Sequence, residues 1–564
     1  MRAKRVRAKP VLAAIELRAP GIVMKLDRLG SAHQTRLSFL RTLLRRMRAE
    51  SWRIVRERFD VDAKGVGTAV YAVHVGERVY SLVAFGHEIA PEKRTDRVIA
   101  EEWDATFALH DGLPDEDAID RLGANVPRQE AGRYLASELV LARANRSVRL
   151  FDQVLSALSQ GRQPDAASVE ATGYLMRTTA VYGNGKFGLA DRDLIKDRPE
   201  LAGPFQAEML TVYLIRLFTV DLVEHLARLR GGPRAARLDP ALRRRFGIGN
   251  STGLGMAPFM VRHPALLDRW ITARETALAR ARHREPADEG AITSFRAALK
   301  SSHRLVAAWA TQDIEQERRI SRLGEDLRRI ERFATDEIFV GRQPFDAIYR
   351  FAEAELSLEG QEYAVTLLIE ANGDIVDDLA AGMAVDEAIS FCIDGSGTCG
   401  ELRRLVEEHC AWAFELDFAD REANARFWYV SEEKLEPRLG ERFDEPGMER
   451  EQPLAVARDI AALEAALAAE PADRSVAAFL LAQPQHRHAV RRVQIASRRP
   501  YSEIRDNLID ARLRPIDILR CKLAFFGATR FDPRSDRWLR ITLFQGAPFP
   551  DELESGDWDR WPFA

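Results

Sequence analysis

The sequence predicts an α+β fold that is predominantly α-helical, with a small N-terminal antiparallel sheet, a helical body and a mixed C-terminal region. Three observations predict it. Between Gly67 and Leu109 apolar residues recur with the period of two that a half-buried strand requires. From Pro114 to Phe333 they recur at helical spacing with few breakers. At Gly341-Arg342-Gln343-Pro344 the composition breaks, and the patterns beyond it alternate between the two kinds. A chain of 564 residues exceeds one ordinary core. Three domains are therefore expected: an N-terminal α+β domain at 1–113, a helical domain at 114–340 and a mixed C-terminal domain at 341–564.

Taken in order, residues 34–58 set Leu37, Leu40, Leu43, Leu44, Met47, Trp52, Ile54 and Val55 among eight arginines. This reads as an amphipathic helix or a broken pair of helices. Its basic face is either a solvated surface or a contact for a phosphate backbone. Thr68–Val75 and Arg78–Phe85, joined by a Val-Gly-Glu turn, and then Arg97–Leu109 read as antiparallel strands. Helical spacing follows at Asp115–Leu122, Gln129–Gln160 and Pro164–Arg177. Gly203-Pro204 opens a long helix that Gly231-Gly232-Pro233 ends. Pro264–Arg284 and Ile292–Phe333 are further helices. The second is charge-rich after Gln312, and reads as a helix pair broken near Gly324 or as a homodimer arm. Phe345–Leu356 is helical, Gln361–Ala371 mixed and Glu432–Gln452 a loop. Leu454–Glu470 and Ser502–Ala511 read as helices, and Trp538–Phe544 as a strand. The aromatic residues Trp558, Trp561 and Phe563 are expected to dock on the body or on a partner.

Basic and acidic side chains nearly cancel, 83 against 86, so bulk charge does not attract a polyanion and nucleic acid is not expected as a partner. Four cysteines in so long a chain cannot build a disulfide framework, which fits a reducing, cytoplasmic setting. No apolar run approaches the length of a membrane span. Lysine supplies only ten of the 83 basic residues, the drift toward arginine expected of a GC-rich bacterial genome. Against that drift Lys186, framed by glycines, and Lys522, beside Cys521, stand out.

Two glycine-rich interruptions are the candidate binding elements. In Tyr182-Gly183-Asn184-Gly185-Lys186-Phe187-Gly188 the Asn-Gly pair is a hairpin-turn signal. Its alternative reading is a cradle in which backbone amides and the Lys186 ammonium hold a phosphate or carboxylate. Tyr182 would then donate a proton, with Asp191 nearby. Gly247-Ile248-Gly249-Asn250-Ser251-Thr252-Gly253-Leu254-Gly255 costs much entropy to order, and needs either a tight-packing or a ligand reason. Asn250, Ser251 and Thr252 would hydrogen-bond a substrate, with Arg262 and His263 supplying a cation and a titratable group. Neither segment matches the phosphate-loop or dinucleotide pattern.

A third candidate is Cys399. Thr398 and Glu401 have capping-box spacing, which puts Cys399 at a helix start where the partial positive charge lowers a thiol pKa. The alternative is a small buried residue in a glycine-rich turn. Cys392, Cys399, His409 and Cys410 lack zinc spacing, so no metal is expected. The cofactor is unknown. The leading expectation is a soluble bacterial enzyme that binds a small anionic metabolite between the 182–193 and 247–263 loops. Its catalytic candidates are Lys186, Tyr182, His263 and Cys399, with Gly183, Asn184, Gly185, Asn250, Ser251, Thr252 and Arg262 binding. Acid–base lyase or transferase chemistry suits these groups. The alternative is a non-catalytic interaction or regulatory protein that uses helices 34–58 and 292–333.

Overall fold

The computed structural model describes residues 16–30, 34–93, 102–125, 135–183, 195, 197–250, 264–384, 392–415, 417, 426–431, 437–440, 451–453, 456–505, 508–509, 520–527, 541–554 and 558–563. Its centre is a curled sheet of eight strands rather than a small one. Along the chain these are β1 (Arg53–Val61), β2 (Gly67–Val75), β3 (Arg78–Gly86), β4 (Ala105–Asp111), β5 (Glu138–Arg146), β6 (Tyr174–Gly183) and β7 (Gly247–Asn250). β8 (Arg426–Ser431), β9 (Pro437–Gly440), β10 (Glu451–Pro453) and β11 (Leu508–Ile509) form a separate sheet in which β8 pairs with the other three. The eighth strand of the main sheet, β12 (Thr542–Leu543), pairs antiparallel with β7. Strand order follows the chain, and every neighbouring pair is antiparallel except β6 and β7. Register shifts in β1, β4, β5 and β6 supply the bends that a curled sheet needs.

The expected strands at 68–75 and 78–85 are present, and the third begins later, at Ala105. Three stretches read as helical are strands, one of them Tyr174–Arg177 at the start of β6. The basic helix ends at Ala49, giving α1 (Phe39–Ala49), and the chain turns at Ser51 into β1. Within Gln129–Gln160 lies β5, built from helix formers such as Leu, Ala and Arg. All nine of its residues are buried, so no alternation marks it, and pairing on both edges overrides propensity. α2 (Glu116–Asn125) contributes Ile119 and Leu122 to a small cluster with Val70, Val83, Phe85, Ala108 and Leu141 on one sheet face. α3 (Phe151–Ser159) and the short α4 (Ala166–Thr172) lead into β6.

Across the sheet lies α5 (Gln206–Gly231), the helix opened near Gly203-Pro204. It is buried almost all round, as a helix between a sheet and other helices must be. Phe205 caps it in a left-handed conformation, which is strained for a bulky residue. Packing holds it there, with its ring 5.4 Å from Phe39 and 4.7 Å from Phe526.

The rest is mostly helical, as expected up to 340 and in place of the mixed region expected beyond 341. α6 (Pro264–Arg282), α7 (Glu289–Ala307), α8 (Ile314–Phe333), α9 (Pro344–Glu355) and α10 (Leu358–Ala371) pack on one another. Asp313 caps α8, accepting from the Gln316 amide at 2.9 Å, so the expected break near Gly324 falls at 308–313 instead. Gln361–Ala371 is helix, and 501–505 is irregular. α11 (Cys399–His409), α12 (Val456–Ala468), α13 (Val476–Ala482) and α14 (Arg487–Ala496) form a further group. Trp558 and Trp561 are buried, as the docking expectation requires.

Two buried ionic nodes join remote parts of the chain. Arg18 forks onto Glu275 (2.7 and 2.9 Å) and bonds Glu362 at 2.8 Å, and Arg28 reaches Glu362 at 3.0 Å. In the second node Arg41, fully buried on α1, grips both oxygens of Glu370 at 2.6 and 2.9 Å. Arg36 grips both oxygens of Asp377 at 2.6 and 2.7 Å, and lies 3.1 Å from Glu370 and 2.9 Å from Asp559. Arg45 completes the set, 3.6 Å from Asp377 and from Asp559. Burial alone would raise the Glu370 pKa, but the charges of Arg41 and Arg36 hold it at about 2.

A folded-state pKa depressed to about 2 contributes stability that is complete above the unfolded value near 4.5 and is lost as pH falls between the two. Glu370→Gln is therefore expected to flatten the pH dependence of the unfolding free energy between pH 4.5 and 2. At pH 7 it should cost on the order of 3–5 kcal/mol, the size of a broken buried ion pair. Urea unfolding at a series of pH values measures both, and an unchanged profile would remove the node from the account of stability.

Candidate functional site at the strand ends

β3 and β5 begin at the sheet end where β4 and β6 finish, whereas β7 stops short of it, Asn250 lying level with Ala144 of β5 and Ala105 of β4, five residues of β6 before Gly183. The register fixes this: Tyr80 faces Asp111, His110 faces Glu138, Val140 faces Gly183, and Thr178 pairs in parallel with Asn250. The chain thus leaves β6 after Gly183 and β7 after Asn250 on neighbouring strands that point the same way. Thr178, fully buried, ties the pair with a 3.2 Å hydrogen bond from its hydroxyl to the Gly249 carbonyl.

Beyond the 184–194 segment the chain is pinned across the same end. Ile195 is buried, and Arg198 Nε donates to Asp111 Oδ2 at 3.0 Å. The Tyr80 hydroxyl donates to Glu200, and Arg78 lies 3.7 Å from that carboxylate. Burial, then the bond to Glu200, pushes the Tyr80 pKa up, so it stays a neutral donor. Glu138 is buried at the start of β5, 3.6 Å from Arg121. This sheet end therefore carries a phenol, three carboxylates and three guanidiniums. Sequence reading missed Tyr80, Asp111, Glu138, Arg198 and Glu200. For Tyr80, Asp111 and Glu138 the signal is position near a strand terminus, which was hidden while β5 read as helix.

Of the expected site residues, Tyr182 and Gly183 are the last of β6 and Asn250 the last of β7. Asn184, Gly185, Lys186, Asp191, Ser251, Thr252, Arg262 and His263 lie outside the described residues, as does the expected Asn184-Gly185 turn. Two glycines of the second segment have a packing reason. A Cβ on Gly247 would lie 2.5 Å from the Leu543 carbonyl oxygen, and one on Gly249 would lie 3.0 Å from the Tyr174 ring. The first lets β12 approach, and the second seats an aromatic ring on the strand.

Cys399 occupies the start of α11, and the capping box of Thr398 and Glu401 is present. The thiol is nevertheless not activated. Burial first, and then the charge of Glu470, raise its pKa above the ordinary value, outweighing the helix end. The amides there are already satisfied, Cys399 N–H by the Arg474 carbonyl at 2.8 Å and Gly400 N–H by that of Ala472 at 2.9 Å. No seat for an anion remains. Cys410 is pushed up to about 12, chiefly by burial. Among the described residues no cluster of three or more His, Cys, Asp or Glu side chains could hold a metal ion, and no helix is long and apolar enough to cross a membrane.

The basic face of residues 34–58 is divided, three of its eight arginines turning inward. Arg36, Arg41 and Arg45 are committed to the buried node and Arg46 to Glu50 at 2.9 Å. Arg48, Arg53 and Arg56 are the exposed arginines of this stretch. Comparison with family models, with curated proteins and with solved structures finds no match for this chain.

Two outcomes are expected. In the native protein only Cys392, the exposed thiol, should react promptly with a thiol reagent, while Cys399, Cys410 and Cys521 should require unfolding. Prompt modification of Cys399 would restore its candidacy as a nucleophile. Gly247→Ala should destabilise by about 1–3 kcal/mol, because backbone must shift to admit the methyl group. Urea titration measures this, and a neutral result would mean that β7 and β12 adjust freely.

Proposed function

We propose that the chain is a bacterial cytoplasmic enzyme that binds a small anionic metabolite between the glycine-rich segments that follow the parallel strands β6 and β7. The observation that supports the reading is the parallel pairing of these strands, the one departure from an antiparallel sheet. Ligand sites gather beyond the carboxyl ends of parallel strands, because both connections must leave in the same direction and frame a crevice. Here both connections are rich in glycine and short polar residues, which permit backbone amides to approach an anion closely.

In this reading Lys186 and Arg262 supply positive charge to a phosphate or carboxylate. Gly183, Asn184, Gly185, Asn250, Ser251 and Thr252 supply hydrogen bonds. Tyr182 or His263 moves the proton in a lyase or transferase step. Glu138, two residues beyond the partner of Gly183, is a buried carboxylate suited to orienting such a group.

A ligand that binds only the native state raises the unfolding free energy by about 2.7 kcal/mol when present at a hundred times its Kd. A panel of phosphorylated and carboxylated metabolites is expected to contain compounds that raise the Tm of the wild-type protein. Lys186→Ala, with its ligand-free Tm unchanged, should lose that rise. A metabolite that stabilises both proteins equally would overturn the assignment of the anion to this segment.

A further inference from the structure

A second polar concavity lies at the opposite edge of the sheet. The first strand, β1, and the chain just past the last, residues 550–554, line the two flanks of a groove of about 530 Å³. That volume falls within the range of small-molecule sites. Four arginines line it: Arg48 from the last turn of α1, Arg53 and Arg56 from β1, and Arg243. Ser51, in a left-handed conformation at φ 52°, makes the turn between Arg48 and Arg53 and lines the groove as well.

The four cations are not equivalent. Arg56 is 3.0 Å from Asp221, which also accepts the Tyr71 hydroxyl at 2.7 Å. Arg243 lies over the Phe549 ring at 3.8 Å and reaches Asp551 at 3.4 Å. Arg48 and Arg53 have no carboxylate partner among the described residues, although Arg48 lies 4.9 Å over the Trp558 ring. The remaining lining charge, Glu554, has no cation partner among the described residues. Aromatic stacking holds a guanidinium plane without occupying its hydrogen-bonding edge.

We propose that this groove is a binding site for a small phosphorylated ligand, separate from the strand-end site, with Arg48 and Arg53 holding the phosphate. Two guanidiniums with free N–H edges match the several terminal oxygens of a phosphate group. Asp221 and Asp551 are neutralised by Arg56 and Arg243, so they do not repel it. Glu554 is the carboxylate that opposes it.

Calorimetric titration with inorganic phosphate at low salt tests the proposal. The wild-type protein should bind it, and R48Q/R53Q should weaken binding by about tenfold or more through loss of charge-assisted hydrogen bonds. The single variant R53Q should give a smaller loss. E554Q should tighten binding by about twofold to threefold, since it removes a like charge. Lys186→Ala should leave this affinity unchanged, which separates the groove from the strand-end reading. The groove variants change exposed side chains, and an unchanged Tm without phosphate shows that each variant is folded. The proposal is overturned if the wild type takes up no phosphate, if R48Q/R53Q binds as well as the wild type, or if Lys186→Ala alone abolishes binding.

Discussion

The carboxylate of Glu370, held between Arg41 and Arg36, is the constraint on which much of the molecule depends. Transfer of six charged groups out of water is costly, and only close, forked geometry with several partners offsets it. The geometry here is of that kind, and it joins three remote segments: the start of α1, the end of α10 with the turn after it, and the tail at Asp559. With Arg41 and Arg45 drawn inward, α1 presents its apolar residues to α5 and its last turn to the edge of the sheet. The position of Arg48 beside β1 follows from what Arg41 does two helical turns earlier.

α5 plays the corresponding part on the sheet. Arg216, fully buried within it, donates to the carbonyls of Phe246 (2.6 Å), Ala547 (2.8 Å) and Arg244 (3.1 Å), and its plane lies 3.9 Å from the Phe549 ring. Burial lowers its pKa to about 9, which still leaves it charged at neutral pH. One side chain thus fixes the approach to β7 and the chain after β12 together. The parallel strand at the end of the sheet is held in place from beneath.

Much of this was legible in the sequence, and the failures have physical causes. β2 and β3 carry clear alternation, the ends of α5 are marked by Gly-Pro and Gly-Gly-Pro, and the capping box of α11 is a local motif. β5 was hidden because both of its faces are covered, which erases alternation and leaves Leu, Ala and Arg to suggest a helix. β1 was hidden because its exposed arginines continue those of α1. The grouping of Tyr80, Asp111, Glu138, Arg198 and Glu200 depends on register across three strands, and no local spacing records register. Cys399 shows the converse. Its motif was read correctly, but the carbonyls of Ala472 and Arg474 and the charge of Glu470 come from residues some seventy positions away.

The pairing of β7 with β12 has a consequence for how the protein is made. β7 leaves the ribosome long before residues 542–543, so a nascent chain carries β7 with one edge open and Arg216 without the Ala547 carbonyl. An unpaired strand edge invites pairing with other chains, and large proteins are exposed to that hazard during synthesis. The same late segment brings Asp559 to Arg41 and Arg36, so a chain halted before it would lack both closures at once. The sheet is sealed only once residues 542–559 have been made.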